Sequence, residues 1–199
     1  MLVVRLSGDT VRAKNGSMVA YDGRMTFKKL TGGGNGLRGM VTRRLTGEQM
    51  EVMEVKGEGT VWFADSARDV SLVRLSGETL HVEAENLLCT EGGLRTGTSF
   101  AGLGGAAQGD GLFTTTVEGT GQAAVMSTGP VVALRVSPAY PLTVDPGAYI
   151  AHQGGVRRSF QSGAGARTVR GGRRRGGPAA VRGRGRGVRA AQRAGDVGG

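Results

Sequence analysis

The sequence predicts an all-β fold, and three observations carry that expectation. Apolar runs of four to six residues, rich in β-branched or aromatic types, recur along the chain and are separated by glycine. Glycine supplies 38 of 199 residues, far above the usual ~7%. It costs about 1 kcal/mol relative to alanine inside a helix. Helical periodicity is not sustained over even ten residues.

Taken in order, Leu2–Leu6 and Met18–Tyr21 read as the first strands, with Asp22-Gly23 as a turn. Gly32-Gly33-Gly34-Asn35-Gly36 reads as a loop. Gly47–Lys56 carries Met50, Met53 and Glu54 at a helix-like spacing, but its place in a repeat makes it a strand. Thr60–Ala64 and Val70–Leu75 follow as strands, and Gly104-Gly105 is a turn. Val131–Val136 and Tyr149–Ala151 complete the set.

An internal repeat runs at an offset of 62. Val55-Lys56-Gly57-Glu58-Gly59 matches Val117-Glu118-Gly119-Thr120-Gly121, and Gly47-Glu48 matches Gly109-Asp110. Leu80-His81-Val82-Glu83 matches Leu142-Thr143-Val144-Asp145, and Leu87-Leu88-Cys89 matches Tyr149-Ile150-Ala151. Ser17-Met18-Val19-Ala20-Tyr21 supplies an earlier copy of the last block. Three copies of one block and two of the other imply a three-repeat architecture with a half-repeat missing.

The charge is segregated. The chain carries a net +10, yet residues 1–162 hold 16 Lys+Arg against 15 Asp+Glu. Residues 163–199 hold 10 Arg and one acid, Asp196. A basic average therefore describes the last fifth of the chain and not its body. No apolar run approaches the ~18 residues of a membrane helix. Met1–Arg5 is too short for a signal peptide, so a soluble, cytoplasmic protein without membrane insertion is expected.

Each chemical motif has a simpler structural reading. Gly34-Asn35-Gly36-Leu37-Arg38-Gly39 matches a dinucleotide fingerprint in letters. A dinucleotide site needs a preceding buried strand, a following helix and an acid about 20 residues on, whereas Arg43-Arg44 and a β-looking stretch follow here, so it reads as a turn. The Gly57/Gly59 and Gly119/Gly121 pairs read as a recurring β-turn. His81 and His152 do not make a metal site, which needs three or four donors. One cysteine excludes an intramolecular disulfide and a Cys-based zinc site. Cys89 sits at a small apolar repeat position beside Ala20 and Ala151, which predicts a buried, inert thiol. Ser17, Ser76 and Ser159 lie outside a G-x-S-x-G context. Asp145, before Pro146, reads as a turn-stabilising carboxylate or an oligomer contact, with Glu83 as its repeat counterpart. Lys28-Lys29 and Arg43-Arg44 read as strand-edge protection. No catalytic residue, cofactor or metal is expected.

Several blocks together carry a family resemblance: Gly16-Ser17-Met18-Val19-Ala20-Tyr21-Asp22-Gly23, Arg44-Leu45-Thr46-Gly47-Glu48, Leu75-Ser76-Gly77-Glu78, Gly109-Asp110-Gly111-Leu112-Phe113, Pro141-Leu142-Thr143-Val144-Asp145-Pro146, and Arg158-Ser159-Phe160-Gln161-Ser162. Over residues 1–168 the chain resembles the mitochondrial biogenesis family, also called altered inheritance of mitochondria, which has many bacterial members. The resemblance implies a fold similar to that of the tryptophan RNA-binding attenuator protein: an all-β sandwich or barrel of internal pseudo-repeats, forming a homo-oligomer. It implies no enzymatic activity, which leaves a noncatalytic scaffold or interaction protein.

Residues 169–199 are expected to be a disordered Arg/Gly-rich tail, and two origins remain open. The family ending resembles Phe-Glu-Gly-Glu-Gly-Val-Val-Tyr-Val-Gln-Pro-Ser-Glu. Written with codons ending in G or C and read from the third base of the Phe codon, it yields residues 182–194 at every position. A frameshift between about residues 164 and 173 would thus replace the third Gly-x-Gly block. Alternatively the tail is a selected nucleic-acid-binding segment. Arg173, Arg174, Arg175, Arg182, Arg184 and Arg186 would then contact phosphates nonspecifically. The segment has no aromatic residue for base stacking.

Overall fold

In the computed structural model the described residues are 1–30, 51–100, 113–160, 167–171 and 178–182. They are almost entirely strand, and every pairing is antiparallel. The first set is β1 (Leu2–Lys14), β2 (Met18–Leu30) and β3 (Val52–Phe63). The second is β4 (Asp69–Ser76), β5 (Leu80–Val82), β6 (Leu87–Glu91), β7 (Arg95–Phe100), β8 (Phe113–Glu118) and β9 (Thr120–Ser127). The third is β10 (Val131–Arg135), β11 (Leu142–Val144), β12 (Tyr149–Gln153), β13 (Val156–Phe160), β14 (Arg167–Gly171) and β15 (Pro178–Arg182). Single 3-10 turns at Ala84–Asn86 and Pro146–Ala148 precede β6 and β12.

These strands form two six-stranded sheets, ordered β2-β3-β1-β6-β9-β4 and β10-β15-β12-β5-β8-β7, and a three-stranded sheet, β11-β14-β13. The unit β5–turn–β6 recurs as β11–turn–β12 at the offset of 62, residue for residue. A finer mark lies in the pairing. The register slips between Met18 and Ala20 in β2, between Leu87 and Cys89 in β6, and between Tyr149 and Ala151 in β12. One bulge therefore sits at the same position of three aligned blocks.

Two expectations about glycine change. Asp22-Gly23 is no turn, because Gly23 lies inside β2 opposite Gly59. Gly57 and Gly59 likewise lie inside the continuous strand β3. Their φ angles of 154° and 140° are open to glycine and rarely to other residues. A β-carbon on Gly57 would stand 2.0 Å from the Arg24 carbonyl oxygen, and one on Gly59 2.1 Å from that of Asp22. These glycines let neighbouring backbones close together in mid-strand. Gly119 and Gly121, with φ of 123° and 152°, sit where β8 bends into β9, and a β-carbon there would meet the Leu94 and Glu91 side chains.

The alternation of each strand feeds the core. On β3, Met53, Val55, Val61 and Phe63 point inward. They meet Leu6, Val11, Leu88 and Met126 in one cluster. A second cluster joins Leu75, Leu80, Val82, Leu87, Val117 and Ile150 across the two large sheets. Full burial of each large side chain contributes about 1.5–3 kcal/mol. A third cluster holds Val136, Val144 and Tyr149.

Strands β14 and β15 fall at the border of, and within, the stretch expected to be tail. β14 pairs β11 on one side and β13 on the other, and β15 stands between β10 and β12. β8 and β9 occupy the corresponding places, since β8 lies between β5 and β7 and β9 between β4 and β6. The central places of the third set are therefore held by Arg167–Gly171 and Pro178–Arg182. Backbone pairing needs no particular side chain, and Pro178 opens its strand, where the missing N–H is tolerated.

Candidate functional site

The most elaborate polar arrangement gathers around Arg68. Ser66 and Ala67 are both left-handed, with φ of 51° and 54°, a conformation that costs non-glycine residues energy. This tight reversal turns Arg68 back under the chain. Its Nη1 donates to Asn86 Oδ1 at 3.0 Å. Its Nη2 donates to the Glu85 carbonyl oxygen and lies 3.5 Å from Asp65 Oδ2. Lys14 Nζ also donates to Asp65 Oδ2, and that bond holds the Asp65 carboxyl below its ordinary range, helped by Ser66. A cleft of about 100 Å³ opens beside this group, lined by Arg68, Glu83, Asn86, Thr128, Gly147 and Tyr149. Since Arg68 spends its terminal nitrogens on the turn after β3 and the 3-10 turn before β6, the cluster reads first as a clamp.

Tyr149 links the cleft to a pair of histidines, half-buried His81 and buried His152. His81 on β5 and His152 on β12 are direct cross-strand neighbours. Their rings stack at 4.6 Å and 8°. The Tyr149 hydroxyl reaches His152 Nδ1 and lies 3.4 Å from the His81 carbonyl oxygen. Parallel stacking points the ring lone pairs side by side rather than at a common centre. Among the described residues no group of three His, Cys, Asp or Glu side chains could hold a metal ion.

The other candidate residues are placed as follows. Cys89 is buried, and burial pushes its thiol up to about 12. Asp145 accepts a hydrogen bond from the Gly147 N–H at 2.8 Å, as a turn-stabilising carboxylate does. Lys28 and Lys29 lie on β2, where Lys29 pairs with Glu51 at 2.8 Å. Arg182 ends β15, opposite Val131. Arg173, Arg174, Arg175, Arg184 and Arg186 lie outside the described residues, as do Arg43-Arg44 and Gly34–Gly39.

Two features escape sequence reasoning. The Arg68 clamp depends on a left-handed pair at Ser66-Ala67, which neither residue type advertises. The histidine pair depends on β5 meeting β12 in one register, and no local signal encodes that. A third feature is on the surface. β2 is an outer strand of its sheet and exposes Val19 and Tyr21, while Val3, Leu72 and Tyr140 are also exposed.

A family model described as mitochondrial biogenesis AIM24 matches residues 1–187. The chain belongs to the AIM24 family. The AIM24 match runs through β14 and β15 and so includes both strands of the expected tail region. A crystal structure of a Streptococcus pyogenes protein is similar in fold, with a TM-score of 0.67 and 18% identity. The similarity covers 91% of this AIM24 chain and 86% of the streptococcal one. No curated protein matches. Among the described residues no helix is long and apolar enough to cross a membrane.

Proposed function

We propose that this AIM24 protein is a noncatalytic interaction scaffold that works as a homo-oligomer in the cytoplasm. The observation that carries the reading is the outer strand β2. It is 13 residues long and pairs with β3 on one side only among the described residues. Long edge strands are templates for pairing, and proteins usually blunt them. Here Arg24, Lys28 and Lys29 protect the far half, whereas the near half presents Val19, Ala20 and Tyr21. Light scattering on the full chain is expected to give a defined mass above the monomer, and Val19→Asp to lower it. A strict monomer at all concentrations would reject the scaffold.

A second reading is nonspecific nucleic-acid binding, favoured by the ten arginines in residues 163–199. A fold like that of the tryptophan RNA-binding attenuator protein would belong with it. Its signature is an affinity that falls steeply with salt and vanishes when the tail is removed.

A further inference from the structure

The bulged block occurs three times, and its surroundings differ in one copy. In β6, Leu88, Cys89 and Thr90 are 0%, 5% and 2% exposed. In β12, Ile150, Ala151 and His152 are 3%, 1% and 2% exposed. The matching residues of β2 are Val19, Ala20 and Tyr21. Val19 is 60% exposed, Tyr21 50%, and Ala20 is exposed too.

The difference has an identifiable cause in the sheet order. β6 is flanked by β1, with Val11 opposite Glu91, Arg12 opposite Thr90 and Ala13 opposite Cys89. β12 is flanked by β5, with Leu80 opposite Gln153, His81 opposite His152 and Val82 opposite Ala151. The two junctions are the same pairing moved along the repeat. Continuing the series, the strand matching β1 and β5 is β11, and the strand it should flank is β2. The register would set Leu142 opposite Asp22, Thr143 opposite Tyr21 and Val144 opposite Ala20. Among the described residues β11 and β2 are outer strands of different sheets.

We propose that β2 receives β11 of a second copy of this chain, in that register. The two strands are the two ends of a row of three repeats, so successive copies join head to tail. Such a contact makes a ring where the rotation closes. Strand addition supplies backbone hydrogen bonds, and Val19 and Tyr21 supply apolar area. The proposal rests on the oligomeric reading above and names its surface.

Cysteine pairing tests it. Full-length Asp22→Cys and Leu142→Cys chains are prepared separately, checked for folding by circular dichroism, mixed and oxidised gently. Opposed residues in adjacent strands lie within the ~4.4–6.8 Å Cα range a disulfide needs. A disulfide-linked dimer is expected from the mixture and from neither variant alone, since Cys89 is buried. Ala20→Cys with Val144→Cys gives a second pair if the first misfolds. In the chain bearing both substitutions, a disulfide within one molecule would overturn the proposal, because the junction would then be closed by the chain's own strand. Oligomers by light scattering without the mixed disulfide would also overturn it while leaving the scaffold standing. A strict monomer would remove both.

Discussion

Asp65 is the joint that ties the first strand to the turn before β4. It receives Lys14 and lies beside Arg68, both partly shielded from water. Its carboxyl titrates below the ordinary value of 3.8, chiefly through the Lys14 hydrogen bond. A lowered folded value means that the charged form is favoured in the native state. The resulting stabilisation is complete above the unfolded carboxyl's pKa and is lost as pH falls below about 4. Partial exposure keeps it to about 1 kcal/mol or less. Asp65→Asn is therefore expected to lower stability at pH 7 by that amount and to flatten the loss between pH 5 and 2. Urea titrations across that range check it, and an unchanged acid limb would show that Asp65 is not the group responsible.

Among the elements, the mid-strand glycines decide how closely β2 and β3 approach. Gly57→Ala would place a methyl 2.0 Å from the Arg24 carbonyl oxygen, at a backbone angle alanine rarely adopts. The strain alone amounts to about 1–3 kcal/mol. Gly93 has open space around it, so Gly93→Ala is expected to stay within about 0.5 kcal/mol of the parent. Thermal melts of the two variants make the comparison, and equal losses would remove the close-approach role. The strands themselves were legible because β-branched runs and glycine spacing are local signals. Cys89 and Asp145 were legible for the same reason. The path through Asp22-Gly23 was not, because the same dipeptide that makes a hairpin turn also permits a kink inside a paired strand. The Arg68 clamp and the His81–His152 stack require contacts between residues roughly 20 to 70 apart in the sequence, which no local window contains.

At the scale of the whole molecule, the repeat explains most of what is seen. One bulge position, one Gly-x-Gly pairing and one inter-repeat register recur, and burial follows them except in β2. The sequence repeat at 62 pointed to this arrangement, and it also suggested an absent half-repeat, whose places β14 and β15 take. A shifted reading frame would leave those places with sequence not selected for them, and the coding DNA around codons 164–173 decides its origin. The proposed junction of β2 with β11 lies in the body of the chain and does not depend on that origin.

Amide hydrogen exchange reads the junction on β2 strand by strand. In β2 the N–H groups of residues 18–22 that point away from β3 are the ones a second copy would cover. They are expected to exchange as slowly as their counterparts at 87–91 and 149–153 at high protein concentration, and to speed up on dilution. Fast exchange at 18–22 at every concentration, with the counterparts protected, would contradict the account.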